Sequence, residues 1–134
     1  MLRLQLFRSL LLLALTALLA GCGNGSTGAG TPADAYESFF VELNRGNRQD
    51  ALEKLAPAGA LGDTFRGGAY YSYADAVEAE FDRYDGLDRV LIDETGEVNE
   101  NTVRVEGRLR FGDGTELQRS ITFVREDDIW VGQL

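Results

Sequence analysis

The sequence contains no histidine, one cysteine and one lysine, so it has few of the side chains that act as nucleophiles or bases. The absence of histidine excludes the usual Ser-His and Cys-His catalytic pairs and most zinc sites. A single cysteine also excludes a disulfide bond within the chain. From these absences we expect no catalytic residue, no bound metal and no cofactor.

Basic residues are also scarce, because 22 Asp and Glu face only 13 Lys and Arg, which gives a formal net charge of −9. Arg3 and Arg8 lie within the first 21 residues, which are predicted to be a leader, and removal of the leader leaves 11 basic and 22 acidic side chains, a charge of −11. An acidic surface repels phosphate groups. Nucleic acid and anionic lipid headgroups are therefore not expected as partners.

The first 21 residues have the three-part layout of a secretory signal peptide. A basic start is followed by an almost purely apolar run over residues 10–19 and then by two small residues before Cys22. A membrane-spanning helix needs about 20 apolar residues, roughly twice the length of this run. A retained transmembrane anchor is therefore not expected.

The residues Leu19-Ala20-Gly21-Cys22 have the pattern of a lipobox, and on this motif the chain resembles bacterial lipoprotein precursors. The resemblance implies cleavage between Gly21 and Cys22, a diacylglyceryl thioether on Cys22, and a further acyl chain such as palmitate on the new amino terminus. Two or more chains, each contributing about 0.8 kcal/mol per buried methylene, anchor a protein stably to a membrane. The alternative is an ordinary secreted protein that has a cysteine here by chance.

The same resemblance implies a location in the cell envelope. An Asp after the lipidated cysteine tends to retain Gram-negative lipoproteins at the inner membrane, and Gly23 carries no such signal. We therefore expect the outer membrane, facing the periplasm, in a Gram-negative cell, and the outer face of the cell membrane otherwise. Residues 22–32 are predicted to form a flexible tether with a span of roughly 15–20 Å. Residues 33–134 then form a single domain.

Helical spacing predicts two helices at the start of this domain. Thr31 is the expected cap of the first helix, with Pro32 in its first turn. Gly46 is expected to end it, Asn47 to begin the second helix, and Pro57 to stop the second. The two helices should therefore meet at a tight corner.

The segment that follows is predicted to be a loop, because residues 58–69 include four glycines and show no sustained period. A third helix is expected to begin with Ser72 as its cap and Asp75 three residues further on. It should end near Gly86.

From residue 87 onward, apolar and polar residues alternate, which predicts antiparallel strands. Val90 and Ile92 mark the first strand, and residues 95–101 are predicted to be a turn. The second strand ends at Phe111 before a Gly-Asp-Gly turn, and a third strand leads to a short fourth that contains Trp130. Helices followed by such a meander predict an α+β domain, with the helices packed on a curved antiparallel sheet of about four strands.

This order of elements resembles the nuclear transport factor 2-like (NTF2-like) superfamily, and specifically its uncharacterised DUF4878 lipoproteins. The likeness rests on an aromatic helix and its Asn-Arg-Gly-Asn corner within residues 35–55, on residues 112–115, and on a polar turn followed by tryptophan within residues 123–130. The resemblance implies a cone-shaped domain, which commonly encloses a hydrophobic pocket. It also implies an unknown protein or a small apolar ligand as partner. By analogy with other members of the superfamily, two copies of the chain could form a homodimer through the sheet.

Seven aromatic residues are candidates for the lining of such a pocket: Tyr36, Phe40, Phe81, Tyr84, Phe111, Phe123 and Trp130. The same rings could instead fill the core, and for a domain of this size we favour filling.

An enzyme of the same superfold is the rival interpretation, since an Asp base beside a Tyr hydrogen-bond donor needs no histidine. The candidate pairs combine Tyr70, Tyr71, Tyr73 or Tyr84 with Asp75 or Asp82. A helix cap at Asp75 and a core position for Tyr84 explain these residues without catalysis. No enzymatic activity is predicted.

Charged residues on the sheet offer one further candidate. Arg104, Arg108 and Arg110 are expected on the face opposite the apolar residues, with Arg119 on the next strand as a further member. This row could receive an anionic ligand or an acidic partner, although cross-strand pairing on a solvated face is commoner. The acidic residues between positions 82 and 97 lack the spacing of a calcium-binding loop, so no metal is predicted there.

We therefore expect a membrane-anchored lipoprotein that acts as a non-catalytic binding or protein-interaction module at the cell envelope. The alternatives are a small-molecule enzyme and a passive structural or stress lipoprotein. An open cavity with a buried Asp and Tyr would favour the enzyme, whereas a filled cone would favour interaction with partners.

Overall fold

A computed structural model describes residues 30–134 of the chain, with the side chains of Thr64 and Phe65 excepted. The predicted signal peptide, the lipobox with Cys22 and the tether as far as residue 29 lie outside these residues. Within them, no helix has the length and the apolar character needed to cross a membrane. Four helices precede four strands: α1 Pro32–Asn44, α2 Arg48–Leu55, α3 Ala58–Leu61, α4 Thr64–Arg83, β1 Leu87–Asn99, β2 Thr102–Phe111, β3 Glu116–Glu126 and β4 Ile129–Gln133.

The strands form one antiparallel sheet in the order β1-β2-β3-β4, so each strand pairs with its neighbours in sequence. One face of the sheet, here the inner face, carries the buried residues of β2, such as Val105 and Leu109, while Arg104 and Arg108 lie on the opposite, outer face. Helix α1 packs against β1 and β2, and α2 packs against β4. The predicted α+β class, with helices on a curved four-stranded sheet, is confirmed.

The amino-terminal helices form as their capping residues predict. The hydroxyl of Thr31 accepts a hydrogen bond from the backbone N–H of Asp34 at 3.2 Å, and the carboxylate of Asp34 accepts one from the N–H of Thr31. This reciprocal capping satisfies two donors that the first turn would otherwise leave unpaired. Helix α2 begins directly after Asn47 and ends before Pro57, as predicted.

The predicted loop over residues 58–69 is wrong, since this segment contains α3 and the first turns of α4. Ser72 and Asp75 consequently lie inside α4, and the side chain of Asp63 accepts the hydrogen bond from the N–H of Arg66 in its first turn. Gly67 of α4 lies against α3, where a Cβ would overlap the carbonyl oxygen of Leu61. The glycine allows the two helices to approach each other closely.

The predicted turn over residues 95–101 is also wrong, because β1 continues to Asn99 and only Glu100 and Asn101 form the turn. The register of β1 against β2 shifts between Ile92 and Glu94 and again near the end of the strand. Each shift changes which residues face inward, so the apolar alternation stops although the hydrogen-bonded pairing continues.

Candidate functional site

Aromatic side chains fill the space between the helices and the inner face of the sheet. The side chains of Tyr36, Phe39, Phe40 and Phe123 are 0% exposed, and that of Phe111 is 1% exposed. A residue that no water-sized sphere can touch does not border an open cavity. The ring of Phe40 has its centroid 4.9 Å from Phe39 and 5.0 Å from Tyr36, both in edge-to-face geometry that favours aromatic pairs.

Five of the seven candidate pocket residues therefore lie in the packed core: Tyr36, Phe40, Phe81, Phe111 and Phe123. The other two, Tyr84 and Trp130, are partly buried at its margin. The Tyr84 ring lies 5.1 Å from that of Phe111, and the guanidinium of Arg125 lies 4.6 Å above the ring of Trp130. The structure thus uses these rings as packing rather than as the wall of a pocket.

An ion pair next to this core lies between α4 and the inner face of β3. Glu80 of α4 forms an ion pair with Arg119 of β3, and their side chains are only 23% and 28% exposed. Tyr36 of α1 donates a hydrogen bond to the backbone carbonyl oxygen of Arg119, and the charges of Arg119 and Glu80 both influence the pKa of Tyr73 in α4. We refer to Tyr36, Tyr73, Glu80 and Arg119 together as the polar seam.

Tyr36 fixes the position of this strand segment through a contact that a glycine makes possible. Its hydroxyl donates a hydrogen bond to the backbone carbonyl oxygen of Arg119 at 2.9 Å. To reach it, the ring passes over Gly107, the residue of β2 that pairs with Arg119. A Cβ on Gly107 would lie 2.8 Å from the Tyr36 hydroxyl and 2.6 Å from the carbonyl oxygen of Leu91, so no other residue fits without a shift.

Burial sets the protonation of the two tyrosines. It raises the pKa of Tyr73 to about 12, although the neighbouring Arg119 guanidinium acts in the opposite direction. Burial likewise raises the pKa of Tyr36 above its ordinary value. Both hydroxyls therefore remain protonated, and able to donate hydrogen bonds, throughout the physiological pH range.

The carboxylate of Glu80 has unused hydrogen-bonding capacity. Its Oε1 atom meets Arg119, whereas its Oε2 atom is buried and has no hydrogen-bond partner. A buried acceptor without a partner costs about 1–3 kcal/mol, and more when it is charged. Because the atom is buried, a ligand could reach it only if the neighbouring side chains moved.

The prediction that Arg119 extends the arginine row is corrected by the register of β3. Arg119 pairs with Gly107 and shares the inner face with Ile121 and Phe123, which are both buried. The sequence carried a signal for this placement, since positions 117, 119, 121 and 123 are alternate residues of the strand and so share one face of the sheet. A charge within that apolar set is the feature that sequence reasoning missed.

The three arginines predicted on the outer face do lie there, and acidic residues pair with them. Arg108 binds Asp93 through two nitrogen atoms and also Glu116, while Arg110 binds Glu116 at 2.8 Å. Arg104 pairs with Glu106 at 2.9 Å. Hydrogen bonds from these guanidinium groups lower the pKa values of Asp93 and Glu116. The row is thus a network of opposite charges rather than a free cationic patch.

Of the residues of the rival enzyme hypothesis, Tyr71 and Asp75 meet at Arg48 on the exposed surface, and the others are dispersed. Tyr70 donates its hydroxyl hydrogen bond to the carbonyl oxygen of Gly132 at 2.6 Å, and Asp75 pairs with Arg48 at 2.7 Å. The ring of Tyr71 also meets the guanidinium of Arg48, at 5.7 Å. Asp82 lines an open surface groove of about 710 Å³ at the other end of α4. Asp75 is not a helix cap, since it lies in the middle of α4.

The part of the chain that the structure describes contains no group of three or more acidic, histidine or cysteine side chains arranged to hold a metal ion.

Solved structures share the architecture of helices packed on a curved antiparallel meander. A Campylobacter jejuni protein described as a candidate NTF2-like transpeptidase is 18% identical, with a TM-score of 0.62 over 78% of this chain and 98% of that one. A SEC-C motif containing protein from Rhodopseudomonas palustris is also 18% identical, with a TM-score of 0.51 over 79% of this chain and 77% of that one. At this identity the likeness shows the fold alone.

The chain belongs to the DUF4878 family, a domain of unknown function, whose profile matches residues 21–131. The family resemblance predicted from both ends of the domain is therefore confirmed. A search among curated proteins finds no match.

Proposed function

We propose that this protein is a lipid-anchored, non-catalytic binding module of the cell envelope. Its anchor is the lipid on Cys22, supported by the complete lipobox Leu19-Ala20-Gly21-Cys22 and the signal-peptide layout before it. After cleavage, the tether would link the lipid directly to the cap of α1 at Thr31. The domain would then extend from the outer membrane into the periplasm of a Gram-negative cell, or from the outer face of the cell membrane otherwise.

The proposal about binding rests on the observation that the interior of the domain is filled. Because the aromatic rings exclude water-sized spheres, a ligand has to bind at the surface of the domain rather than inside the cone. The polar seam is a partly exposed position at which a cation and an anion are in direct contact. We therefore favour the polar seam as the binding site.

A homodimer through the outer face of the sheet is less favourable. It would remove the ion pairs of Arg108 and Arg110 from water, and the desolvation of paired charges offsets much of their attraction. A purely structural lipoprotein is the outcome that remains if no ligand or partner binds.

The anchor is tested by labelling growing cells with radioactive palmitate and isolating the chain. The wild-type chain should be labelled and should leave the membrane fraction only in detergent, because two or more acyl chains give stable anchoring. Cys22→Ser should lose the label completely, and a chain cut from its leader should then become soluble.

The matched control is Ser26→Ala in the tether, which should be labelled like the wild type. The intact mass of the wild-type chain should correspond to a start at Cys22 plus lipid. An unlabelled wild-type chain, or label that persists in Cys22→Ser, would refute the anchor.

A further inference from the structure

An open surface groove of about 710 Å³ lies where α1 and α4 end and α2 begins. Two acidic residues of α4, Glu78 and Asp82, line it. Glu80 of the polar seam is two positions from each of them, so it lies on a different face of the helix. The groove is therefore a surface separate from the polar seam.

The groove has an excess of negative charge that the described residues leave unmatched. One basic side chain lines it, that of Arg48, and two carboxylates already pair with this residue, Asp75 at 2.7 Å and Glu78 at 3.0 Å. Asp82 and Asp85 also line the groove and are exposed. Within residues 30–134, neither of their carboxylates has an ion pair or a hydrogen bond. Both carboxylates are thus available to a cation from outside the domain.

The backbone adds to this negative potential, because the two longest described helices end here. The 13 residues of α1 end at Asn44 and the 20 residues of α4 end at Arg83, and the carbonyl end of a helix carries roughly half a negative charge. Helix α2 begins at the groove, so two carbonyl ends are opposed by one amino end. The last turn of α1 holds no basic residue, and Arg83 lies over the ring of Tyr84 at 5.5 Å. Charge complementarity therefore favours a cationic occupant.

The apolar lining and the open shape narrow the class of cation. Leu43 and Phe81 line the groove from the side of the core and are 3% and 7% exposed. A lysine side chain matches this arrangement, because its four-carbon stem lies along apolar surface while its ammonium group stays at the polar edge. Sites for small molecules usually enclose most of the ligand, which an open groove does not. The groove therefore suits a side chain supplied by a protein segment.

The groove also lies far from the point at which the chain enters the domain. Residues before Thr31 join α1 at its amino end, whereas the groove lies at its carboxyl end. A helix of 13 residues is about 20 Å long, at about 1.5 Å per residue. A partner in the groove and the anchor proposed above would thus be at opposite ends of α1.

Beyond the binding function proposed above, and separately from the polar seam, we propose that this groove docks a lysine-containing basic segment of a partner protein. The ammonium group of a lysine meets the carboxylates of Asp82 and Asp85, and its stem lies against Leu43 and Phe81.

Fluorescence anisotropy of a dye-labelled tetralysine peptide tests the proposal with the full-length chain in uncharged detergent micelles, and micelles alone are the blank. The peptide should bind saturably, and its affinity should fall as the salt concentration rises, because salt screens exposed charges. Tetralysine with acetylated side chains lacks the charges and should not compete. Spermine carries the same four positive charges on a thinner chain that covers less of an open groove, so it should compete at least fivefold more weakly than unlabelled tetralysine.

Variants then locate the site. Asp82→Asn combined with Asp85→Asn should weaken tetralysine binding at least fivefold. Asparagine has nearly the same shape as aspartate and tolerates the positive φ of 69° at Asp85, so the fold should persist. The matched control combines Glu100→Gln with Asp128→Asn, which removes the same number of charges at exposed turns outside the groove. It should change the affinity less than twofold.

Absence of saturable binding, competition by the acetylated peptide, or an equal loss of affinity in the two double variants would overturn the docking site. Competition by spermine as strong as that by tetralysine would overturn the assignment to a protein segment and would indicate a small polyamine instead. The palmitate experiment measures the anchor through Cys22, whereas these measurements do not depend on it. Either proposal can therefore fail without the other.

Discussion

Replacing Gly107 with alanine is expected to lower the free energy of unfolding by about 1–3 kcal/mol, the usual cost of forcing an extra group into a packed site. The new methyl would lie 2.6 Å from the carbonyl oxygen of Leu91, which the β1–β2 pairing holds in place. It would also press on the Tyr36 hydroxyl and weaken the hydrogen bond to Arg119, which contributes about 0.5–1.5 kcal/mol. Urea unfolding of the wild type and the variant measures the difference.

Gly96→Ala is the matched control, because Gly96 lies in the neighbouring strand β1 and its Cβ would find no atom closer than 4.0 Å. It should change stability by no more than about 0.5 kcal/mol, as most surface substitutions do. In a Tyr36→Phe background the cost of Gly107→Ala should be smaller, since one of the two close contacts is gone. Equal effects of Gly107→Ala and Gly96→Ala would contradict the close approach of Tyr36 to the sheet.

Replacing Phe123 with alanine is expected to cost about 3–5 kcal/mol, as large-to-small changes of buried aromatic residues do. Phe123 is 0% exposed and lies on the inner face of β3, paired with Val103 on one side and Gly132 on the other. The loss combines the transfer of the ring to water with the cavity it leaves. Because domains of this size are stable by only about 5–15 kcal/mol, much of the total stability should disappear.

Val124→Ala provides the comparison in the same strand, since Val124 is adjacent to Phe123 and only partly buried. It should cost less than about 1.5 kcal/mol, because the removed groups are smaller and already near water. Thermal unfolding followed by circular dichroism ranks the two variants. If Phe123→Ala were no more destabilising than Val124→Ala, the account of a filled interior would fail.

Local signals in the sequence were sufficient to predict the first helix and the last three strands. Thr31 and Asp34 cap α1 through contacts between near neighbours, and a Gly-Asp-Gly turn with Gly114 at φ +90° closes the β2–β3 hairpin. These features depend on residues within a few positions of each other. Their formation can therefore be inferred before the tertiary structure is known.

The start of α4 was predicted too late in the chain, because some of the residues on its buried face are not strongly apolar. Tyr70, Ala74, Val77 and Phe81 are buried at helical spacing, yet one is a tyrosine and one is an alanine. The glycines of the preceding segment suggested a loop, whereas Gly67 is a point of close contact between helices. Only the tertiary arrangement distinguishes these two uses of glycine.

The polar seam could be predicted only in part. The inward position of Arg119 follows from counting along β3, but its pairing with Glu80 joins residues 39 positions apart. That pairing depends on how α4 lies relative to the sheet, which no local pattern specifies. The same holds for Tyr36 and Arg119, which are 83 positions apart and are brought together by the packing of α1.

The measurement that tests the central claim most directly is titration of the Cys22→Ser chain, free of both lipid and leader, with Nile red, an uncharged apolar dye. If aromatic rings fill the cone and ligands bind at the polar seam, the Cys22→Ser chain with Phe123 intact should give no saturable increase in dye fluorescence at neutral pH. Phe123→Ala, with its new cavity, serves as the comparison. Saturable one-to-one dye binding by the chain with Phe123 intact would contradict the account, because it would require an open apolar cavity inside the domain.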